Sequence, residues 1–256
     1  TSYRGQFQEK GIDHRPHVSI VCNFTKPTKT SPSLLTFNEV TTLFHEFGHA
    51  LHGMLARGVY ESLSGTSVFW DFVELPSQIF ENWCYEKECL DLFARHYQTG
   101  ETIPSELVEK IKNAANFQQG YMTLRQLSFS LLDMAYHSQD PSQIEDIKTF
   151  EKEVLKATEL LPSVENTRIS TSFSHIFQGG YSSGYYSYKW AEVLDADAFE
   201  LFQEKGVFDS KTAVSFEKNV LSAGGTEHPS LLYARFRGRE PKPDALLKRS
   251  GLVVGN

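Results

Sequence analysis

Apolar residues recur at helical spacing through most of this chain, and one stretch near its start is patterned differently. Val40, Leu43, Phe44, Phe47, Leu51, Met54 and Leu55 fall along one helical stripe. Thr36 and Glu39 have the Thr-x-x-Glu spacing of a capping box just before it, and Gly58 follows it. A helix over about 36–57 is therefore predicted. Further helical patterns run at about 70–97, 104–119, 121–138, 143–160, 184–204, 210–221, 229–236 and 241–249, punctuated by Pro104, Gly120, Pro141 and Pro162. The strand-like run is His17–Phe24, rich in Val and Ile and closed by Lys26-Pro27. A lone strand needs partners, so Tyr3–Gln8 or the region around Tyr60 is expected to supply an edge. The pattern is mainly α with a small sheet near the N-terminal end, without internal repeat or low-complexity tract.

Composition narrows the class. A chain of 256 residues can bury a full core, as one domain over 1–256 or as a lobe of something larger. A net charge of −7 argues against nucleic acid as the main partner. No apolar run approaches the roughly 20 residues that span a bilayer, so no membrane partner is expected. Cys22, Cys84 and Cys89 lack metal or redox spacing and read as reduced, buried small residues, consistent with cytoplasm. The chain opens without Met or a signal-like segment, which leaves the compartment only weakly determined.

The predicted first helix carries His45-Glu46-Phe47-Gly48-His49, an H-E-x-x-H run. Histidines four apart lie one turn apart on one face, so both imidazoles can bind a single zinc ion. Glu46 projects beside that ion as a candidate base for water. His45, His49 and His52 share a face away from the apolar stripe, which a metal explains more easily than packing does. Catalytic zinc usually keeps three protein ligands and one open position. The arrangement with a third His six residues on is excluded, because position 55 is Leu. A downstream glutamate remains, with Glu61, Glu74 and Glu81 as candidates. Glu74 lies among apolar residues in Asp71-Phe72-Val73-Glu74-Leu75-Pro76, and a buried carboxylate needs a partner or a metal. Glu61 follows a loop and is expected to be solvated. Glu81 suits a role behind the ligands or a substrate contact. Pro76 predicts a helix start or kink that aims Glu74.

A second unusual segment is His175-Ile-Phe-Gln-Gly-Gly-Tyr181-Ser-Ser-Gly-Tyr185-Tyr186-Ser-Tyr188. Gly179, Gly180 and Gly184 permit close backbone approach. Tyr181, Tyr185 and Tyr188 share one face if the segment is helical. An aromatic core stripe is the plain alternative, yet buried hydroxyls need partners, and phenols suit an oxyanion.

With HEFGHALH at 45–52, DFVELPSQ at 71–78 and HIFQGGYSSGYYSYKW at 175–190, the chain resembles the thimet oligopeptidase family of zinc peptidases. That family includes oligopeptidase A and the bacterial peptidyl-dipeptidases. The closing FRGREPKPDALLKRSGL is similar to the family's C-terminal end. The resemblance implies a multi-helix catalytic lobe with a small sheet beside the zinc helix, the C-terminal portion of a two-lobed, channel-containing, zincin-like peptidase. It implies one zinc per chain on His45, His49 and Glu74, with Glu46 as the catalytic glutamate. His175, Tyr181 and Tyr188 match residues that bind substrate or stabilise the oxyanion, with Tyr185 nearby. Some members have one residue fewer between the His matching His175 and the Tyr matching Tyr181. Short peptides are the implied substrates, and an N-terminal lobe of the same polypeptide is the implied missing partner. SLSGTSVFWDFVELPSQ and SAGGTEHPSLLY are similar to the peptidyl-dipeptidase branch, so release of C-terminal dipeptides is expected, with an endo-acting oligopeptidase as the alternative. A zinc-containing peptide-binding module without turnover is the reading from another class.

Overall fold

The first long helix starts where the Thr36–Glu39 signal puts it. In the computed structural model, which describes residues 1–162 and 164–253, α1 spans Phe37–Met54. Ser163 and residues 254–256, which the 1–256 domain expectation includes, lie outside the described residues. The Glu39 N–H donates to Thr36 Oγ1 at 3.3 Å, and the Thr36 N–H donates to Glu39 Oε2 at 2.7 Å. The Thr25 hydroxyl also donates to Glu39. The Thr36 backbone bond, with Thr25 next, lowers the Glu39 carboxyl to about 2.

α1 buries a different face from the expected stripe. Leu51 and Leu55 pack on the main core, but Phe47 is 44% exposed and Met54 38%. Gly48, Ala50, His52 and Gly53 are the buried positions. Two neighbours close on this helix. At Gly48 the segment α2, Leu75–Glu81, comes so near that a Cβ would stand 2.3 Å from the Pro76 carbonyl oxygen and 2.6 Å from Ser77 Cα. At Gly53 a Cβ would stand 2.9 Å from a Val18 methyl. Small residues mark these contacts, and some of the long apolar side chains fall outside them.

The strands are short: β1 Ser2–Arg4, β2 Phe7–Glu9, β3 Ile12–His14 and β4 His17–Val18. They form two antiparallel pairs, β1 with β4 and β2 with β3. Lys10 and Gly11 both take positive φ, 50° and 80°, as a two-residue hairpin turn requires. The strand expected over His17–Phe24 ends at Val18. Only Ser19 continues the pairing, its N–H donating to the Thr1 carbonyl at 2.9 Å, and 20–24 run on without a ladder. Tyr3 does supply the partner edge. Among the described residues the region around Tyr60 gives these strands one backbone–backbone bond, Gln8 N–H to the Val59 carbonyl, because Glu61–Leu63 coils into a 3₁₀ turn.

The helix expected over 70–97 is divided into a 3₁₀ turn at Trp70–Phe72, α2, a second 3₁₀ turn at Asn82–Tyr85, and α3 at Lys87–Phe93. Pro76 lacks an N–H and fits only the first turn of a helix, so α2 begins beside it with Glu74 at the cap position. The later patterns become α4 Ser105–Ala115, α5 Gln119–His137 and α6 Ile147–Leu155. A short α7, Ser174–Phe177, was not expected. After it come α8 Ser187–Lys205, α9 Ser210–Phe216 with a π turn at Glu217–Leu221, α10 Pro229–Arg237 and α11 Asp244–Arg249.

Two interiors result. The larger joins α2, α8, α9 and α10 through Leu75, Ile79, Leu194, Phe199, Phe202, Phe216, Tyr233 and Phe236. The smaller gathers Leu132, Phe173, Ile176 and Tyr185, with Phe129, Tyr136 and Phe150 around them. Cys84 and Cys89 are free and buried, while Cys22 is half-buried. Among the described residues no helix is long and apolar enough to cross a membrane.

Replacing Gly48 by alanine sets a methyl against backbone, which cannot swing aside. We expect Gly48→Ala to cost about 1–3 kcal/mol as an overpacked contact, and to lower the melting temperature by several degrees in calorimetry. Gly58→Ala, whose Cβ meets nothing nearer than 3.8 Å, is the control and is expected to change little.

Candidate metal centre

The close α1–α2 contact brings a carboxylate to a pair of imidazoles. His45 and His49 lie one turn apart on α1, and Glu74 at the start of α2 reaches both. Glu74 Oε2 is 3.4 Å from His45 Nε2 and 3.1 Å from His49 Nε2. Ligands about 2.0–2.1 Å from a tetrahedral ion stand about 3.3 Å apart, so these spacings suit one shared cation. Two imidazole nitrogens and a carboxylate oxygen also form a donor set that zinc accepts. Among the described residues this trio is the one group of three or more His, Cys, Asp or Glu whose donor atoms converge, all within 4.8 Å of one another.

The trio is braced from outside. Ser77, one turn on from Glu74, donates its hydroxyl to Glu74 Oε2 at 2.8 Å. Tyr181 donates its hydroxyl to Glu74 Oε1 at 3.2 Å. Glu81 Oε1 lies 2.7 Å from His45 Nδ1, which leaves Nε2 aimed at the trio. Glu81 therefore stands behind a histidine, the first of the two roles expected for it. Glu61 is exposed and accepts the Gly5 N–H at 2.8 Å, apart from the trio.

Burial opposes a charge on His45, yet the Glu74 and Glu81 carboxylates outweigh it and push its pKa up to about 10. Burial likewise works against the Glu74 carboxylate, but hydrogen bonds from His45 and His49, with the Ser77 hydroxyl, hold it below the usual range. The two acids thus demand positive charge at the imidazoles, from protons or from a divalent ion.

His52 does not join them. It is fully buried, neither ring nitrogen has a partner among the described residues, and burial pushes its pKa down to about 3. It shares the angular face of His45, but seven residues carry it roughly 10 Å along the axis, beyond a shared ion.

Glu46 lines a cleft of about 620 Å³ together with His49, Glu74, Trp70 and Tyr181. Its carboxylate makes no hydrogen bond or ion pair among the described residues. A larger cleft of about 870 Å³ is lined by Gln78, Glu81, Asn82, Asp195 and Arg249, so Glu81 is reached from there.

Tight turns rather than one helix assemble the tyrosines, since α8 begins only at Ser187. The Tyr181 and Tyr188 rings stack, with centroids 5.0 Å apart and planes 21° from parallel. Trp70 packs on Tyr181 at 4.9 Å, and Gln78 donates to the Tyr188 carbonyl at 3.4 Å. Burial, more than any neighbouring charge, raises both phenols, so each remains a proton donor at neutral pH. His175 is exposed, 6.0 Å from the Tyr181 ring, and is not drawn into the trio. Tyr185, expected near a substrate, has its ring buried against Phe129 and Phe173 in the smaller interior. Ser77, Gln78 and Trp70 went unremarked in the sequence; only Ser77, three residues after Glu74, carried a readable signal.

Known proteins share this chain's pattern over nearly all its length. It is 49% identical to oligopeptidase A of Escherichia coli (strain K12) over 244 residues, covering 94% of the chain and 36% of that protein. It is 40% identical over 257 residues to the dipeptidyl carboxypeptidase of the same organism, covering 99% of the chain and 38% of that protein. Thimet-like oligopeptidase of Dictyostelium discoideum is 38% identical over 250 residues, with 97% and 37% covered. The chain thus spans little more than a third of these relatives' length. The model of peptidase family M3 matches residues 1–252, and the chain belongs to that family.

Proposed function

We propose that this chain carries the zinc-dependent centre of a peptidase that hydrolyses short peptides. Members of family M3 are zinc metallopeptidases. The convergence of His45, His49 and Glu74, with Glu46 beside them in an open cleft, is the observation that carries the reading.

His45 and His49 would hold the ion through Nε2 and Glu74 through a carboxylate oxygen. A bound zinc supplies Lewis acidity, which acidifies water and polarises a carbonyl. Glu46, unpaired and facing the cleft, accepts the proton from the attacking water and delivers it to the leaving amine. Water oxygen thereby joins the carbonyl carbon, the C–N bond breaks, and the proton ends on nitrogen. Tyr188, protonated, donates a hydrogen bond to the developing oxyanion, while Tyr181 keeps its hydroxyl on Glu74. Glu81 fixes the His45 tautomer and ring plane. His175 is exposed beside the Tyr181 ring, and we assign it a substrate contact.

Cleavage within the peptide is the mode we favour, on the higher identity to oligopeptidase A. Release of C-terminal dipeptides is the second reading. Arg4 supports it, as the one Arg or Lys side chain lining the Glu46 cleft among the described residues, because a terminal carboxylate needs such a cation.

Three measurements test these statements. Glu46→Gln is expected to retain metal in elemental analysis while a quenched-peptide assay loses about 10²–10⁴-fold in turnover; near-normal hydrolysis would remove Glu46 from its role. Zinc binding must displace the proton that the acids hold on His45. Calorimetry in buffers of differing ionisation enthalpy should therefore show proton release and an affinity that rises with pH up to about 10, whereas Glu74→Ala should bind no stoichiometric zinc. Mass spectrometry of products separates the cleavage modes: amidating a peptide's C-terminus leaves internal cleavage unchanged but suppresses dipeptide release.

A further inference from the structure

One acid outside the metal trio is withdrawn from solvent completely. Asp133 on α5 is fully buried next to Leu132, the other buried residue of that helix and a member of the smaller interior. An unpaired carboxylate there is costly, so its hydrogen bonds reveal its purpose. Oδ1 accepts the Ser183 N–H at 2.9 Å, and Oδ2 accepts the Tyr185 N–H at 2.9 Å. His137 Nδ1, one turn along, lies 2.9 Å from Oδ1. Both backbone donors belong to the turn that carries Tyr181 on one side and Tyr188 on the other.

That turn is closed by its own Gly184 N–H to Tyr181 carbonyl bond at 2.8 Å, yet it carries a strained residue. Ser183 has φ +56°, a left-handed conformation unfavourable for a residue with a side chain, and its N–H is one of the two that Asp133 takes. On the opposite side Trp70 presses so close that a Cβ on Gly184 would lie 2.8 Å from Trp70 Cδ1. The turn is thus trapped between an indole and a buried carboxylate. Charge explains why the residue is Asp: two N–H groups converge on two oxygens, whereas Asn offers one oxygen and turns an NH₂ toward the other donor.

We propose that Asp133 is a positioning residue: its buried carboxylate fixes the 181–188 turn so that the Tyr181 and Tyr188 phenols stand at Glu74 and the metal trio. The catalytic consequence rests on the peptidase reading above; the clamping of the turn does not. Asp133→Asn, which keeps the side-chain volume, is compared with the parent chain, Tyr188→Phe and the double variant. Amide hydrogen exchange, zinc content, kcat and KM are measured for each. In Asp133→Asn, exchange across 182–186 is expected to rise at least about tenfold while α1 stays protected. Zinc content stays at that of the parent. kcat falls about 10- to 100-fold with KM within about threefold, the pattern of a displaced donor. In the Tyr188→Phe background the same substitution costs no more than about twofold, because the donor it positions is already gone.

Unchanged exchange across 182–186 overturns the proposal. So does a loss of turnover that is undiminished in the Tyr188→Phe background, the mark of general weakening. A parent chain that hydrolyses no peptide would count against the peptidase reading, while the exchange measurement still decides the clamp. If Asp133→Asn fails to fold, Asp133→Ser, with a hydroxyl acceptor and room for water, is read by the same measurements.

Discussion

A carboxylate held out of water between two imidazoles is the constraint around which this structure is arranged. Glu74 is 5% exposed, and an acid so buried is tolerated only when its oxygens are satisfied. Four groups meet that need: two histidines from α1, a serine from its own turn and a tyrosine from a distant loop. Each must arrive within about 3 Å, so the constraint spreads outward. α1 must touch α2, which is why position 48 has no side chain. The tyrosine loop must reach α2, which is why it is wedged beneath Trp70. The site is in this sense a packing solution to one electrostatic problem.

The larger interior gives that solution its rigidity. Leu75 and Ile79 of α2 are fully buried against α8, and Leu51 and Leu55 bring α1 onto the same core. The acid and the imidazoles are therefore mounted on helices whose opposite faces are anchored. Glu81 extends this bracing on α2 itself, two turns beyond Glu74, by holding the remaining nitrogen of His45. One short helix thus supplies both a candidate ligand and the group that orients another.

What the sequence disclosed follows the range of the interactions. The Thr36–Glu39 cap, the one-turn spacing of His45 and His49, and the isolated acid Glu74 next to Pro76 are all local, and each was legible from a few adjacent residues. His52 misled because angular position on a helix says nothing about distance along it. Phe47 and Met54 misled because the neighbours that decide burial, α2 and Val18, come from far along the chain. The strand after Val18 has the right composition, but pairing is a property of two segments. Tyr185 looked like its neighbouring tyrosines, yet Phe129 and Phe173 draw its ring inward. The Gln78–Tyr188 and Asp133–Ser183 contacts join residues 110 and 50 positions apart, and no local pattern announces them.

The division into two interiors bears on how such a centre changes over evolutionary time. His45, His49 and Glu74 are rooted in one set of packed side chains, and Tyr188 in another. Drift in Leu132, Phe150 or Phe173 can shift the Tyr188 ring without disturbing the packing behind His45, His49 and Glu74. The two halves of the cluster are then free to vary separately, joined chiefly where Tyr181 touches Glu74.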